Sequence, residues 1–354
     1  MAFKNLDIQI TAKCNYVCGM CPFHGEGYSG DYFGERPELK REMTLGEIEE
    51  ILKKAQDFGI GEIDLTPSGE FFAYKQWHEV LELIQKYKMK SRVTSNGGLL
   101  EEQDIKDALD LGLSHICLSI DSINYGTYKL VRKPATKKEF ENAMNAPILF
   151  KQYSIGGGEP LCYVQVQFTE QPENQKEIEA MLDFYRPYEL NQIVVGKIFI
   201  TDSQKGIKYA GVKMDYSYEV GKCQSYGTYI IETDGRFLGC CGQFYFYPKL
   251  KDKIPNIFTQ SLAECQKQCD DLYLHNDIFI DYCHKCSLYT RNNQDYLQKT
   301  FIEKGYFAQE YAAQTRYFLI PAPLRELDPE ILLFMYKKNM VKEIKEFIKD
   351  SQKA

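Results

Sequence analysis

Six short apolar runs spread through the first two hundred residues, separated by amphipathic stretches, limit the possible folds of this chain more than any other feature. The runs Leu6 to Thr11, Glu62 to Thr66, Ser91 to Ser95, His115 to Ile120, Cys162 to Phe168 and Gln192 to Ile200 read as strands. Thr44 and Glu47 have the spacing of a capping box, and Leu45, Ile48, Ile51, Leu52 and Ala55 follow on one helical face. A second helix is written by Trp77, Val80, Leu81, Ile84 and Tyr87, and a third by Ile105, Ala108 and Leu109, with Gly112 placed to end it. Strands alternating with helices build a parallel sheet with helices outside it, either an open doubly wound sheet or an incomplete barrel. Both put their chemistry at the carboxyl ends of the strands.

The rhythm changes near Thr201. Tyr229 to Thr233, Asp234-Gly235 and Arg236 to Leu238 spell a hairpin, and the region reads as a second, smaller unit. After residue 300 the pattern is helical again, with Asp328 and Pro329 set to start a final helix. Forty-three Lys and Arg against fifty Asp and Glu give a net charge of -7, which argues against a nucleic-acid partner. The first residues lack the apolar core of a signal peptide and no run of eighteen apolar residues follows, so a cytoplasmic chain with no membrane partner is expected.

In such a compartment the twelve cysteines need a use other than structural disulfides. Three of them, in Cys14-Asn-Tyr-Val-Cys18-Gly-Met-Cys21, sit on the loop that follows the first strand. Thiolates are the usual ligands of iron–sulfur clusters, and three of them leave one iron of a cubane open. The alternative is a zinc knuckle that borrows His24. A second group, Cys223, Cys240, Cys283 and Cys286, is tied together by Gly235, whose turn folds Cys240 back towards Cys223. Four thiolates suit one closed cluster or a four-cysteine zinc site. Cys265 and Cys269 stand at i and i+4 on a helix and read as buried, with Cys117 and Cys162 as core.

The first trio resembles the signature of radical S-adenosylmethionine enzymes. That resemblance implies a partial (β/α)6 TIM-like barrel over residues 1–205, with the open iron of a 4Fe-4S cluster on Cys14, Cys18 and Cys21 taking S-adenosylmethionine. Most relatives have an aromatic residue before the third cysteine, where this chain has Met20; Met20-Cys21-Pro22 resembles a subgroup of the same family. Gly69 and Glu70 are similar to the family's Gly-Glu-Pro motif, which receives the amino group of the cofactor, although Phe71 replaces the Pro. Ser95 and Asn96 at the end of the third strand, and Ser119 and Asp121 at the end of the fourth, resemble ribose-contacting positions; Arg132 falls where relatives carry a cofactor-facing Arg.

The second cysteine group resembles a twitch domain, a shortened SPASM domain holding one auxiliary 4Fe-4S cluster. It implies a small α+β domain over 206–300, followed by a helical extension over 301–354. Cys241, next to a proposed ligand, is either a buried thiol or a hydrogen-atom donor of the kind some epimerising relatives use. The family implies a reductant such as flavodoxin or ferredoxin. The first strand begins at residue 6, leaving no room for the leader-recognition domain of many peptide-modifying relatives. The expected reaction is therefore dehydrogenation or epimerisation of a carbohydrate- or aminocyclitol-like molecule. A peptide-modifying enzyme and a non-catalytic iron–sulfur or zinc-binding protein are the alternatives.

Overall fold

The computed structural model describes residues 5–21, 23–25, 37–66, 68–156, 159–197, 226–240 and 253–275. Every sequence-predicted strand forms within them: β1 (Asn5–Ile8), β2 (Glu62–Leu65), β3 (Lys90–Ser95), β4 (Leu113–Ser119), β7 (Tyr163–Glu170) and β8 (Gln192–Lys197). A two-stranded ribbon, β5 (Ile155–Gly156) and β6 (Glu159–Pro160), lies between the fourth and fifth of these. The six pair in parallel and in chain order, β1-β2-β3-β4-β7-β8. A doubly wound sheet reverses its strand order part-way, so unbroken sequential order selects the barrel-like alternative.

The helices behave as their spacing dictates. Helix α1 (Leu45–Phe58) is capped by Thr44, whose hydroxyl oxygen accepts the Glu47 amide while the Glu47 carboxylate accepts the Thr44 amide. It buries Ile48, Ile51, Leu52 and Ala55, and α2 (Trp77–Lys86) buries Trp77, Val80, Leu81 and Ile84. Helix α3 (Glu102–Asp110) is followed by Gly112 at φ +79°. Three helices went unread in the sequence: α4 (Tyr125–Val131), α5 (Lys137–Tyr153) and α6 (Ile178–Tyr185). Along β1 the alternation is strict: Leu6, Ile8 and Ile10 are fully buried against the helices, which turns Asp7 and Gln9 to the lumen face.

The hairpin of β9 (Ile230–Ile231) and β10 (Phe237–Leu238) forms as expected. Gly235 occupies its turn at φ +86°, and a Cβ there would run into the Phe258 ring. The hairpin does not stand apart. Strand β9 adds in parallel to the free edge of β1, with Asp7 beside Ile230 and Ile8 beside Ile231, giving an eight-stranded sheet. Helix α7 (Leu262–His275) packs against β10 and α1, and Lys54 Nζ on α1 donates to the Ile257 carbonyl. Cys265 and Cys269 on α7 are buried as their spacing suggested, and Cys117 on β4 and Cys162 beside β7 are buried as their strand positions suggested. The final helix expected from Asp328 lies outside the described residues.

Candidate active site

The loop after β1 carries Cys14, Cys18 and Cys21 to the carboxyl edge of the sheet, with Cys14 and Cys21 half-buried and Cys18 buried. An N–H group faces each sulfur. The Tyr16 amide donates to Cys14 Sγ at 3.4 Å and the Phe23 amide to Cys21 Sγ at 3.4 Å. One guanidinium nitrogen of Arg132 donates to Cys18 Sγ at 3.9 Å. Donors aimed at sulfur favour the thiolate over the thiol, because they stabilise the charged form. Burial opposes them and pushes the Cys18 thiol up to about 12, with Arg132 working in the lowering direction.

Beneath the loop runs the turn after β2. Gly69 donates its amide to the Thr11 carbonyl at 3.1 Å and Glu70 donates its amide to the Lys13 carbonyl at 2.7 Å. A Cβ at position 69 would collide with that Lys13 carbonyl, so only glycine lets the two backbones approach. The Glu70 carboxylate is buried and accepts three hydrogen bonds, from Ser95 Oγ at 2.7 Å, the Asn96 amide at 2.8 Å and the Phe72 amide at 3.2 Å. Burial raises its pKa; the donors of Asn96, Ser95 and Phe72 lower it. Asn96 Nδ2 in turn donates to Asn15 Oδ1 at 2.8 Å, and Asn15 Nδ2 to Glu139 Oε1 at 3.0 Å. Sequence reasoning missed Asn15, although its place between Cys14 and Tyr16 was the available signal.

On the other flank Arg132 and Asp121 form a buried ion pair at 2.5 Å. The second Asp121 oxygen accepts the Thr169 amide at 2.7 Å. Burial works against the charge of Arg132, and Asp121 and Cys18 more than restore it. Arg132 Nε is buried without a hydrogen-bond partner among the described residues. Ser119, at the carboxyl end of β4, stands in register with Gln167 of β7 and takes no part in the Glu70 network.

A model of the radical SAM superfamily matches residues 8–185, half of the chain. The chain belongs to the radical SAM superfamily. Members use a 4Fe-4S cluster with S-adenosylmethionine and need a reductant. The site fits such a cluster: three soft sulfur donors share one loop, each with an N–H group on it, and the Arg132 side chain holds an unused donor nearby. Among the described residues no three His, Cys, Asp or Glu side chains converge as one metal ion would require. The irons of a cubane occupy separate corners, so its thiolates need not meet at a point.

Curated relatives of this radical SAM protein carry the name "Probable GTP 3',8-cyclase". That of Methanocaldococcus jannaschii is 28% identical over 209 residues, 58% of this chain and 63% of the relative. That of Thermococcus kodakarensis is 32% identical over 127 residues, 36% and 38% of the two chains. The chain thus spans less than two thirds of the length of either relative. Among solved structures, anSMEcpe with bound AdoMet superposes with a TM-score of 0.58 at 14% identity, covering 84% of this chain and 97% of that one. SuiB from Streptococcus suis superposes with a TM-score of 0.56 at 15% identity, covering 82% and 72%. These share the radical SAM barrel fold.

Of the second cysteine group, Cys240 is described and half-buried, while Cys223, Cys283 and Cys286, together with Cys241, lie outside the described residues. Register locates Cys240. Leu238 pairs with Ile230, and Ile230 with Asp7, so two residues further along β10 the chain has reached the amino end of β1. Cys240 therefore stands at the opposite end of β1 from the trio. Among the described residues no helix is long and apolar enough to cross a membrane.

Proposed function

We propose that this radical SAM enzyme removes a hydrogen atom from a carbohydrate- or aminocyclitol-like small molecule and dehydrogenates or epimerises it. The observation that carries the radical part of this reading is the N–H donor on each sulfur of Cys14, Cys18 and Cys21. Those three residues would hold a 4Fe-4S cluster, which with S-adenosylmethionine supplies a 5'-deoxyadenosyl radical when bound.

The chain's own side chains prepare the site. Glu70 uses three of about four carboxylate acceptor positions on Ser95, Asn96 and Phe72, leaving room for one further donor such as an ammonium group. In doing so it orients Ser95 and Asn96 at the end of β3. Gly69 brings the Glu70 turn against the cysteine loop. The Asp121–Arg132 pair holds positive charge beside Cys18, where it steadies a thiolate and offers a donor to an anionic group of the cofactor. Cys223, Cys240, Cys283 and Cys286 would hold one auxiliary 4Fe-4S cluster, which would supply a one-electron acceptor. Flavodoxin or ferredoxin would serve as reductant.

A peptide substrate is the second reading. SuiB has been solved bound to its precursor peptide SuiA, and anSMEcpe with a Cp18Cys peptide; each covers 82% of this chain. The GTP chemistry named for the curated relatives is a third, resting on the barrel half alone.

The test is anaerobic reconstitution with iron, sulfide and dithionite, followed by S-adenosylmethionine. Wild type is expected to release 5'-deoxyadenosine and Cys18→Ala to release none. Absence of the product in wild type, or its persistence in Cys18→Ala, overturns the radical reading.

A further inference from the structure

Below the cofactor level the lumen of the barrel holds a polar set that the site so far described does not use. Asp7 on β1, Asp64 on β2 and Arg92 on β3 project from the sheet face opposite the one that carries Ile8, Ile63 and Val93 into the helical layer. Arg92 donates to Asp64 Oδ2 at 2.7 Å, while its Nε is buried without a hydrogen-bond partner among the described residues. Asp7 has the Thr66 amide on its Oδ1 at 3.3 Å and feels the Arg92 charge without a hydrogen bond to it. Burial and the neighbouring Asp64 push the Asp7 carboxyl up. Both costs would fall if a cation arrived beside it.

A second feature points into the same space. Gln9 follows Ile8 on β1, its amide still paired to the Ile231 carbonyl at 2.8 Å, so its side chain keeps the alternation and shares the Asp7 face. The residue is 4% exposed, and its side-chain amide has no hydrogen-bond partner among the described residues. Buried amides are normally satisfied, and one left open towards a lumen is a place for a ligand's hydroxyl. Thr66 and Thr94, 3.4 Å apart, add hydroxyls one level above.

We propose that Asp7, Gln9, Asp64 and Arg92 form a substrate subsite for an aminated polyol, with the substrate ammonium on Asp7 and a neighbouring hydroxyl on Gln9. This deepens the small-molecule reading above and rests on it. The same subsite disfavours a nucleoside triphosphate, because two carboxylates, Asp7 and Asp64, stand there against the one guanidinium of Arg92.

The test is equilibrium binding to the reconstituted full-length enzyme with S-adenosylmethionine at pH 7, using D-glucosamine, N-acetyl-D-glucosamine and GTP as probes. Glucosamine is expected to bind at least about tenfold tighter than its N-acetyl form, with GTP weaker than both. Asp7→Asn is expected to bring the amine preference to within about twofold. Equal binding of amine and acetamide, tighter binding of GTP, no saturable glucosamine binding, or a preference that survives in folded Asp7→Asn overturns the proposal. Should Asp7→Asn not fold, the three wild-type affinities still decide. 5'-deoxyadenosine release in the same preparation is read separately. Its absence removes the radical reading and leaves the binding ratios to judge the subsite.

Discussion

Two pairs of cysteines in this chain have the same spacing and opposite fates. Cys14 and Cys18 stand four positions apart on the loop after β1, and Cys265 and Cys269 stand four positions apart on α7. On the helix, i and i+4 share one face, and that face is the core: the two residues are 0% and 2% exposed. Cys269 Sγ there donates to the Phe237 carbonyl at 3.2 Å, so it acts as a thiol. On the loop both sulfurs accept N–H groups, from the Tyr16 backbone and the Arg132 guanidinium, and Cys14 Sγ also reaches Asn15 Oδ1 at 4.0 Å. Spacing alone does not make a ligand. The surroundings decide whether N–H donors reach the sulfur, as they do at Cys14 and Cys18, or a carbonyl takes its proton, as at Cys269.

Iron content gives the widest separation between the pairs. With both proposed clusters in place, Cys18→Ala should lose about four irons per chain, the content of one cubane. Cys269→Ala should lose none. Comparable iron loss in both variants would erase the distinction, and loss in Cys269→Ala alone would reverse it.

The Arg132 side of the comparison is tested through its partner. Asp121→Ala leaves a buried guanidinium without its carboxylate, which should cost about 3–5 kcal/mol in a urea unfolding curve. On the α7 side, Lys54 Nζ reaches backbone carbonyls at Ile257 and Gln260 and pairs with the exposed Glu50. Glu50→Ala removes only a surface partner and should change stability by less than about 1 kcal/mol. Similar losses in the two variants would mean that the Arg132 pair is wetter than its burial indicates.

How far these differences could be read beforehand depends on the range of the interactions. The strands were legible because Leu6, Ile8 and Ile10 alternate locally, and α1 because its capping box lies within four residues. Helix α5 was missed although Thr136 and Glu139 form the same box, because its apolar stripe is weak and Pro147 interrupts the pattern. Pairing of β9 with β1 was illegible, since two residues carry it and their partners lie more than two hundred positions away. At the site, the three cysteines and Glu70, Asp121 and Arg132 were each visible as residue types. That Glu70 would be tied to Ser95 and Asn96, and Asp121 to Arg132, depends on loop geometry that local patterning does not encode.

A pH-dependent effect isolates the helical thiols. Burial pushes the Cys265 thiol up to about 12, opposed by Lys54. An unfolded cysteine ionises near its ordinary value of about 8.5–9. Below that value the folded and unfolded states both keep the proton. Between about pH 9 and 12 the unfolded chain releases it and the folded chain does not, so this thiol's contribution to stability is lost as pH rises. The slope is at most about 1.4 kcal/mol per pH unit for one group. Cys265→Ala should therefore lie about 1 kcal/mol below wild type at pH 8, from lost packing, and close that gap by pH 10. Parallel stability curves for the two proteins from pH 8 to 10 would show that the fold does not hold the Cys265 thiol above its ordinary value, and the contrast between the two pairs would then rest on hydrogen bonding alone.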